Sequence, residues 1–440
     1  MKRALLMILI SVMFTGFCFP QNLLDIYKKG PVKLIPEKAY GEGNKWETLF
    51  NLYYDTIGTH GVFRELEKKI IVAQDGSIFM SHRNRHEIWK FGPDGTLTMK
   101  FGAKGGKADQ FPYMPYIQPV VDNKYVFTSD VQGRLKFFDL DGNFYKYIKL
   151  DYMTGRFLPI GNGMVLMEGN VLWKTKWRRM IQKLNIYTGE TTIIHEYFTD
   201  RQSQLTIDNV DSLINVKKGN YNFCIPGGFN TVNYSNFVFK PDGQFIKADR
   251  STGEFTLFNS SGKELIKGKM EIDPVKITEA DVQENYEMMK RNFITTIEAY
   301  RELISPANPM RKNNPDWSPE SARRSMNINQ KWLDNVDIYR DIKNYYPYFP
   351  YFSNIISDDE GNLLVFEYTN TGEKENNFFN VIAYDSNGKK IARTSFICND
   401  YNLSFSDSKF VISRGYVYAV AKLKNATGMP LRLVKLKITN

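Results

Sequence analysis

Apolar and polar positions alternate along this chain in short runs, punctuated by Asp-Gly and related turn pairs. The fullest instance is HEIWKFGPDGTLTMKFG, His86 to Gly102. A strand rich in aromatic and β-branched residues runs into Asp94-Gly95, where glycine supplies the positive φ of a tight turn, and a second strand leaves it. Versions follow in KFFDLDGNFYKYIKL, KLNIYTGETTIIHEY, TLFNSSGKELIKGKM and IAYDSNGKKIARTSF. Gly95, Gly142 and Gly189 recur every 47 residues, the spacing of a four-stranded propeller blade of roughly 40 to 50 residues. Gly262 and Gly388 continue the series.

A second turn precedes each of these: Asp75-Gly76, Asn123-Lys124, Asn162-Gly163, Asp242-Gly243, Glu360-Gly361 and Arg414-Gly415. Each repeat therefore reads as strand A, short turn, strand B, connection, strand C, short turn, strand D. Six A-B turns stand against five C-D turns, because the chain ends at LRLVKLKITN after the sixth strand C. The unassigned segment PVKLIPEKAYG, Pro31 to Gly41, can supply the missing outer strand and close the array, which removes open sheet edges. The expected fold is all-β: a six-bladed β-propeller over residues 22–440, closed by an N-terminal strand.

Two departures from the repeat are long. Residues Thr199 to Gly228 connect the third and fourth repeats without a readable pattern. After the fourth the period changes: Val282, Tyr286, Met289, Phe293, Ile297, Tyr300 and Ile304 recur every three or four residues, an amphipathic helix, with Thr278 and Asp281 as its cap. SPANPMRKNNPDW breaks it, and Ser318-Pro319 opens a second helix with Trp332, Val336, Tyr339 and Ile342 on its apolar side. Residues 274–346 are thus predicted to form a helical hairpin between the fourth and fifth blades. The run YYPYFPYF is expected to pack it on the ring so that it folds over the adjoining face.

Residues 1–21 join Lys2-Arg3 to the apolar run ALLMILISVMF and small residues, the pattern of a secretory signal peptide; the run is shorter than the roughly 20 residues a spanning helix needs. The expectation is export to the periplasm or cell surface. Cys18 raises lipid anchoring, but Phe17 occupies the position that a lipobox keeps small. A mean hydropathy of −0.40 excludes an integral membrane protein. Cys224 and Cys398 remain after cleavage; export permits a disulfide, and two buried free thiols is the favoured reading.

The passage FGAKGGKADQFPYMP, with Phe101-Gly102, Gly105, Gly106, Gln110-Phe111 and Pro115, followed by Asp130 and Gly133-Arg134, resembles the NHL-repeat and related six-bladed propellers of secreted bacterial proteins. The resemblance implies a ring used mostly for binding, with some enzymes among its relatives, and does not fix a function.

In such a ring the A-B and C-D turns lie on one face and the B-C and D-A connections on the other. Both insertions fall on the second face, where loops on a rigid scaffold carry recognition. Its charge is basic, in keeping with a formal +10. HRNRH brings Arg83 and Arg85, the next connection brings Lys104 and Lys107, Arg134 follows, and NVLWKTKWRRM, read as a B-C connection, brings Lys174, Lys176, Arg178 and Arg179 beside Trp173 and Trp177. The tryptophans offer flat apolar plates next to charge-assisted donors. Nucleic acid is not expected for an exported chain, so an anionic glycan or a protein partner is the predicted ligand, bound at Arg83, Arg85, Arg134, Trp173, Lys176, Trp177, Arg178 and Arg179. No nucleophile elbow, P-loop, HExxH or paired CxxC occurs and no cofactor is expected. The rival reading is a metal-dependent hydrolase or lyase at the channel, for which His82, His86 and Asp130 are the weak candidate ligands.

Overall fold

The computed structural model describes residues 22–50, 66–82, 85–113, 115–130, 132–173, 176–200, 235–305, 319–345, 347–368, 378–403, 410–427 and 429–440. The expected signal segment, the tip of the helical insertion, residues 201–234 and Cys224 lie outside these.

The turn chemistry works as the repeat implies. In most of the turns an Asp or Asn accepts from the backbone N–H two residues on, as from Ser77 to Asp75 at 2.9 Å, Thr96 to Asp94 at 2.9 Å, Asp141 to Asp139 at 3.0 Å, Gln244 to Asp242 at 2.9 Å and Asn387 to Asp385 at 2.9 Å. The glycine that follows takes φ near +80°, where a side chain would be strained. Around Gly95 the N–H groups of Gly92 and Gly95 bond to Thr96 and Gly92 carbonyls, each at 2.8 Å, and the ladder shifts register between Lys90 and Phe91. This is a tight turn closed by a bulge.

Four antiparallel sheets of four strands follow one another. Helix α1 (Leu23–Lys29), strand β1 (Val32–Pro36) and helix α2 (Trp46–Phe50) precede them. The first sheet holds β2 (Leu66–Val72), β3 (Ile78–His82), β4 (Glu87–Phe91) and β5 (Leu97–Phe101); the second holds β6 (Tyr116–Val121), β7 (Tyr125–Ser129), β8 (Arg134–Asp139) and β9 (Phe144–Lys149). The third holds β10 (Met153–Gly161), β11 (Met164–Trp173), β12 (Lys176–Asn185) and β13 (Thr191–Asp200); the fourth holds β14 (Ser235–Phe239), β15 (Phe245–Asp249), β16 (Glu254–Phe258) and β17 (Glu264–Lys269). After helices α3 (Glu279–Ile304) and α4 (Pro319–Asp334), a nine-stranded sheet contains β18 (Phe352–Ser357), β19 (Leu363–Glu367), β20 (Phe378–Tyr384) and β21 (Lys390–Ile397). It also contains β22 (Tyr401–Asn402), β23 (Phe410–Ser413), β24 (Tyr416–Leu423) and β25 (Leu431–Thr439). The architecture is that of an all-β propeller.

Strand β1 joins the halves of the nine-stranded sheet. It runs antiparallel to β25, with Leu34 opposite Ile438, and parallel to β21, with Val32 opposite Phe396. Val32 and Leu34 are buried, so the segment marked out as a missing outer strand occupies that position. Helix α1, capped by Asn22, whose side chain accepts from Leu24 N at 2.9 Å, buries Leu23, Ile26 and Tyr27 against Phe366, Phe396 and Ile438.

The first strand of each unit is innermost. β2 lies against β6, β6 against β10, β10 against β14, and β14 against β18, while β2 also touches β23. Apolar clusters fill the spaces between successive sheets: Phe79, Ile88, Phe111 and Phe138 between the first and second, and Phe127, Phe157, Met167 and Leu184 between the second and third.

Helices α3 and α4 form their own cluster. The Thr278–Asp281 capping box opens α3, with Thr278 N donating to Asp281 at 2.8 Å. The predicted stripe Val282, Tyr286, Met289, Phe293 and Ile297 is buried, and Phe293 stacks on Trp332. Ile277 N bonds to Pro347 O at 3.0 Å and Phe349 N to Val275 O at 2.9 Å, so the two ends of the insertion bond to each other. Tyr345 and Phe349 complete this helical cluster while Tyr348 is exposed. The aromatic run therefore divides between helices, solvent and β18 and does not form one pad on the ring.

Candidate functional site

A cavity of about 520 Å³ is enclosed by innermost strands throughout the array. Lys69 comes from β2, Tyr116, Gln118 and Pro119 from β6, the stretch Met153–Leu158 from β10, Phe237–Phe239 from β14, Ile355–Ser357 from β18 and Phe410 from β23. These strands each pair on one side only, so their open backbone edges face inward, where N–H and C=O groups require water or a ligand. Asp130, at the end of β7 on the side of the B-C connections, brings the wall up to the loop-bearing face.

A polar chain crosses one wall. Lys69 Nζ donates to Gln118 Oε1 at 2.6 Å, and Gln118 Nε2 donates to Ser129 Oγ at 2.7 Å. Gln118 and Ser129 are buried, and the bonds hold the amide with its oxygen toward the ammonium. Asp130 accepts from the backbone N–H groups of Gln132 and Arg134 at 2.8 and 3.1 Å and pairs with Arg134 Nε at 2.6 Å. The Arg134 guanidinium lies 4.4 Å from the Tyr113 ring centre, a stacked cation. Arg156 adds a second cation to the lining, and the buried Thr154 hydroxyl, also in the lining, has no hydrogen-bond partner.

The sequence-predicted site residues are scattered by comparison. Arg134 reaches the cavity through Asp130, and Arg85 sits in the β3–β4 connection beside His82. Arg83 lies outside the described residues. NVLWKTKWRRM is not a long connecting loop: β11 runs to Trp173, which pairs with Lys176 at the start of β12, so two ten-residue strands take up all of it but Lys174 and Thr175, which lie outside the described residues. The side chains of Trp173, Lys176 and Trp177 are outside the described set. Arg178 and Arg179, as neighbours on one strand, point to opposite faces of the sheet. Arg178 pairs with Glu196 at 2.5 Å and Arg179 with Glu168 at 3.3 Å. They do not form one basic surface, because the flanking strands supply an acid to each.

The metal candidates are likewise engaged by the protein. His86 Nδ1 donates to the Phe111 carbonyl at 2.7 Å. His82 Nδ1 accepts from Arg85 N at 3.3 Å, and its ring packs 4.9 Å from Trp89. Burial, with Arg85 nearby, pushes the His82 pKa down to about 4, so the imidazole is neutral near pH 7. Among the described residues no group of three or more His, Cys, Asp or Glu side chains could hold a metal ion. Cys398 is a buried free thiol, its pKa raised by burial.

Neither a family model nor a curated protein sequence matches the chain. Among solved structures, a member of the DUF4221 family from Bacteroides vulgatus is similar at 11% identity, covering 86% of this chain and 94% of that one with a TM-score of 0.42. Regucalcin from Agrobacterium tumefaciens matches at 10% identity and a TM-score of 0.37, covering 84% of this chain and 90% of that one. BamB from Moraxella catarrhalis matches at 7% and 0.33, covering 84% and 85%. Among the described residues no helix is long and apolar enough to cross a membrane.

Lys69, Gln118 and Arg156 were missed in the sequence. Their signal is a polar side chain on a strand A, and it becomes readable only when that strand is known to be innermost. No described residue of α3 or α4 lines the cavity, which removes the observation a lid over it would need.

Proposed function

We propose that this chain is an exported, six-bladed β-propeller that acts as a binding module, taking an anionic glycan or an acidic partner protein on its loop-bearing face. The nine-stranded sheet divides at β1 into two units: β18–β21, and β23, β24, β25 with β1 as the outer strand. An apolar cluster at each of the six junctions among the described residues supports that count. Export is supported by the pattern of residues 1–21.

The observation that carries the binding reading is the position of the cavity, whose wall reaches the face that also receives both long insertions. Arg85, Lys104 and Lys107 belong to connections on that side and Arg134 opens β8 there; Lys104 and Lys107 are exposed. Long-range attraction of an anionic partner is supplied by exposed charges near the docking surface.

Chromatography on immobilised heparin tests the reading. The double variant Lys104→Glu/Lys107→Glu should elute at lower salt than wild type. Lys263→Glu/Lys389→Glu makes the same charge change in C-D turns on the opposite face and should elute almost as wild type does. Equal shifts for the two variants would mean that only net charge matters and that the face has no role.

A further inference from the structure

We infer that the central cavity is a binding site for a small amphipathic anion, a molecule with one carboxylate or sulfonate head and a flat apolar body. The inference rests on the cavity alone and holds whatever the outer face takes.

The two halves of the wall differ in chemistry. Among the described lining residues the charged groups all come from the first three sheets, Lys69, Asp130 and Arg156, beside apolar Met153 and Leu158, whereas the fourth to sixth units contribute no charged side chain and are apolar but for Ser357. A ligand polar all round would find few polar side chains to bond on the apolar side, and a wholly apolar one would strip water from an ammonium and a guanidinium without replacing it. A molecule with one charged end satisfies both walls.

The sign of that end follows from the lining. Among the described lining residues the cations are Lys69 and Arg156 and the one carboxylate is Asp130, which is engaged by Arg134 and two backbone N–H groups. An anionic head therefore meets charge-assisted donors, and Gln118, fixed between Lys69 and Ser129, keeps the ammonium on that wall. The volume of about 520 Å³ lies in the range that holds a drug-sized molecule.

The probe is 8-anilinonaphthalene-1-sulfonate, compared with its uncharged analogue N-phenyl-1-naphthylamine, by fluorescence titration of the full chain. We expect saturable binding at one site, with the anion favoured by about tenfold, the value of one charged hydrogen bond. Lys69→Met/Arg156→Met should abolish that preference while the neutral analogue still binds, and Leu158→Trp, which fills the cavity, should weaken both. Melting curves establish that each variant is folded, and Lys69→Arg, which keeps the charge, should retain the preference. Saturable binding unchanged by both the charge and the filling variants would place the probe elsewhere and overturn the inference, as would the absence of saturable binding to the wild type. The heparin experiment reads the outer lysines and the titration reads the cavity, so each can fail alone.

Discussion

The carboxyl group of Asp358 should make stability depend on pH in a direction opposite to that of an ordinary surface aspartate. It sits in the A-B turn before β19, 1% exposed, under helix α1. Asn362 N donates to Oδ1 at 2.8 Å, Tyr27 OH to Oδ2 at 3.1 Å and Asn362 Nδ2 to Oδ2 at 3.0 Å. These bonds favour the carboxylate, but burial outweighs them, with Glu360 adding repulsion, and the pKa is pushed up from 3.8 to about 6. A folded-state pKa above the unfolded one means that the native state holds the proton more tightly. The group's stabilisation is then complete below about pH 4 and is lost as pH rises through about 6. A gap of that size is worth about 3 kcal/mol. Asp358→Asn removes the titration and adds a constant offset, since one amide N–H group faces the Asn362 donor. Denaturant unfolding of both proteins between about pH 4 and pH 7 should show the variant gaining about 3 kcal/mol on wild type toward neutral pH. Tyr27→Phe, which removes a donor to the carboxylate, should steepen the wild-type dependence. A difference between wild type and Asp358→Asn that stays flat across the window would show that the turn's hydrogen bonds keep the carboxylate charged, and the burial argument would fail.

Deleting Pro31 to Gly41 should abolish the cooperative melt, because β1 bonds to both β21 and β25; removing Met310 to Trp317 from the insertion tip should be mild in the same assay. Arg179→Glu should cost about 3 to 5 kcal/mol, since it sets a second acid against the largely buried Glu168. Arg178→Glu, whose partner Glu196 is more exposed, should cost about 1 kcal/mol or less, and equal melting temperatures for the two would refute the pairing. Gly262→Ala should lower the melting temperature well beyond Gly388→Ala: both have φ above +79°, but only at Gly262 would a Cβ fall 1.9 Å from the Ile194 carbonyl oxygen of the neighbouring sheet.

What could be read from the sequence was whatever is decided within a few residues. The turns were legible because an Asp or Asn and a glycine solve a local backbone problem wherever they fall. Helix α3 was legible because its stripe has the period of a helix and its cap lies at its first turn. The strand at Val32–Pro36 could be located because the repeat lacked one member. The partners of Arg178 and Arg179 were hidden for the opposite reason. Glu196 and Glu168 are 18 and 11 residues away in sequence, and they meet the arginines only through strand register, which between β12 and β13 also contains a bulge at Ile181 and Gln182. A run of tryptophan and basic residues read alone looks like a recognition loop; read with its neighbours it is paired strand.

The same distinction applies to the charge of the whole chain. Several cations that a net +10 would assign to a ligand are fixed to backbone carbonyls across junctions between sheets. Lys90 Nζ donates to Leu140 O at 2.8 Å, Lys146 Nζ to Tyr187 O at 2.9 Å and Lys240 Nζ, fully buried, to Ser386 O at 2.7 Å; Arg414 reaches the Ala73 and Gln74 carbonyls. Lys136 similarly holds the carbonyls of Lys107, Ala108 and Gln110 in the glycine-rich connection. A turn carbonyl at the edge of a sheet has no strand left to pair with, and a long cationic side chain from the next sheet can satisfy it without a matching backbone. A repeating ring therefore consumes lysines in its own assembly. The basic groups that remain informative about a ligand are those that also border the cavity from the innermost strands, as Lys69 and Arg156 do, or lie on exposed connections of the loop-bearing face.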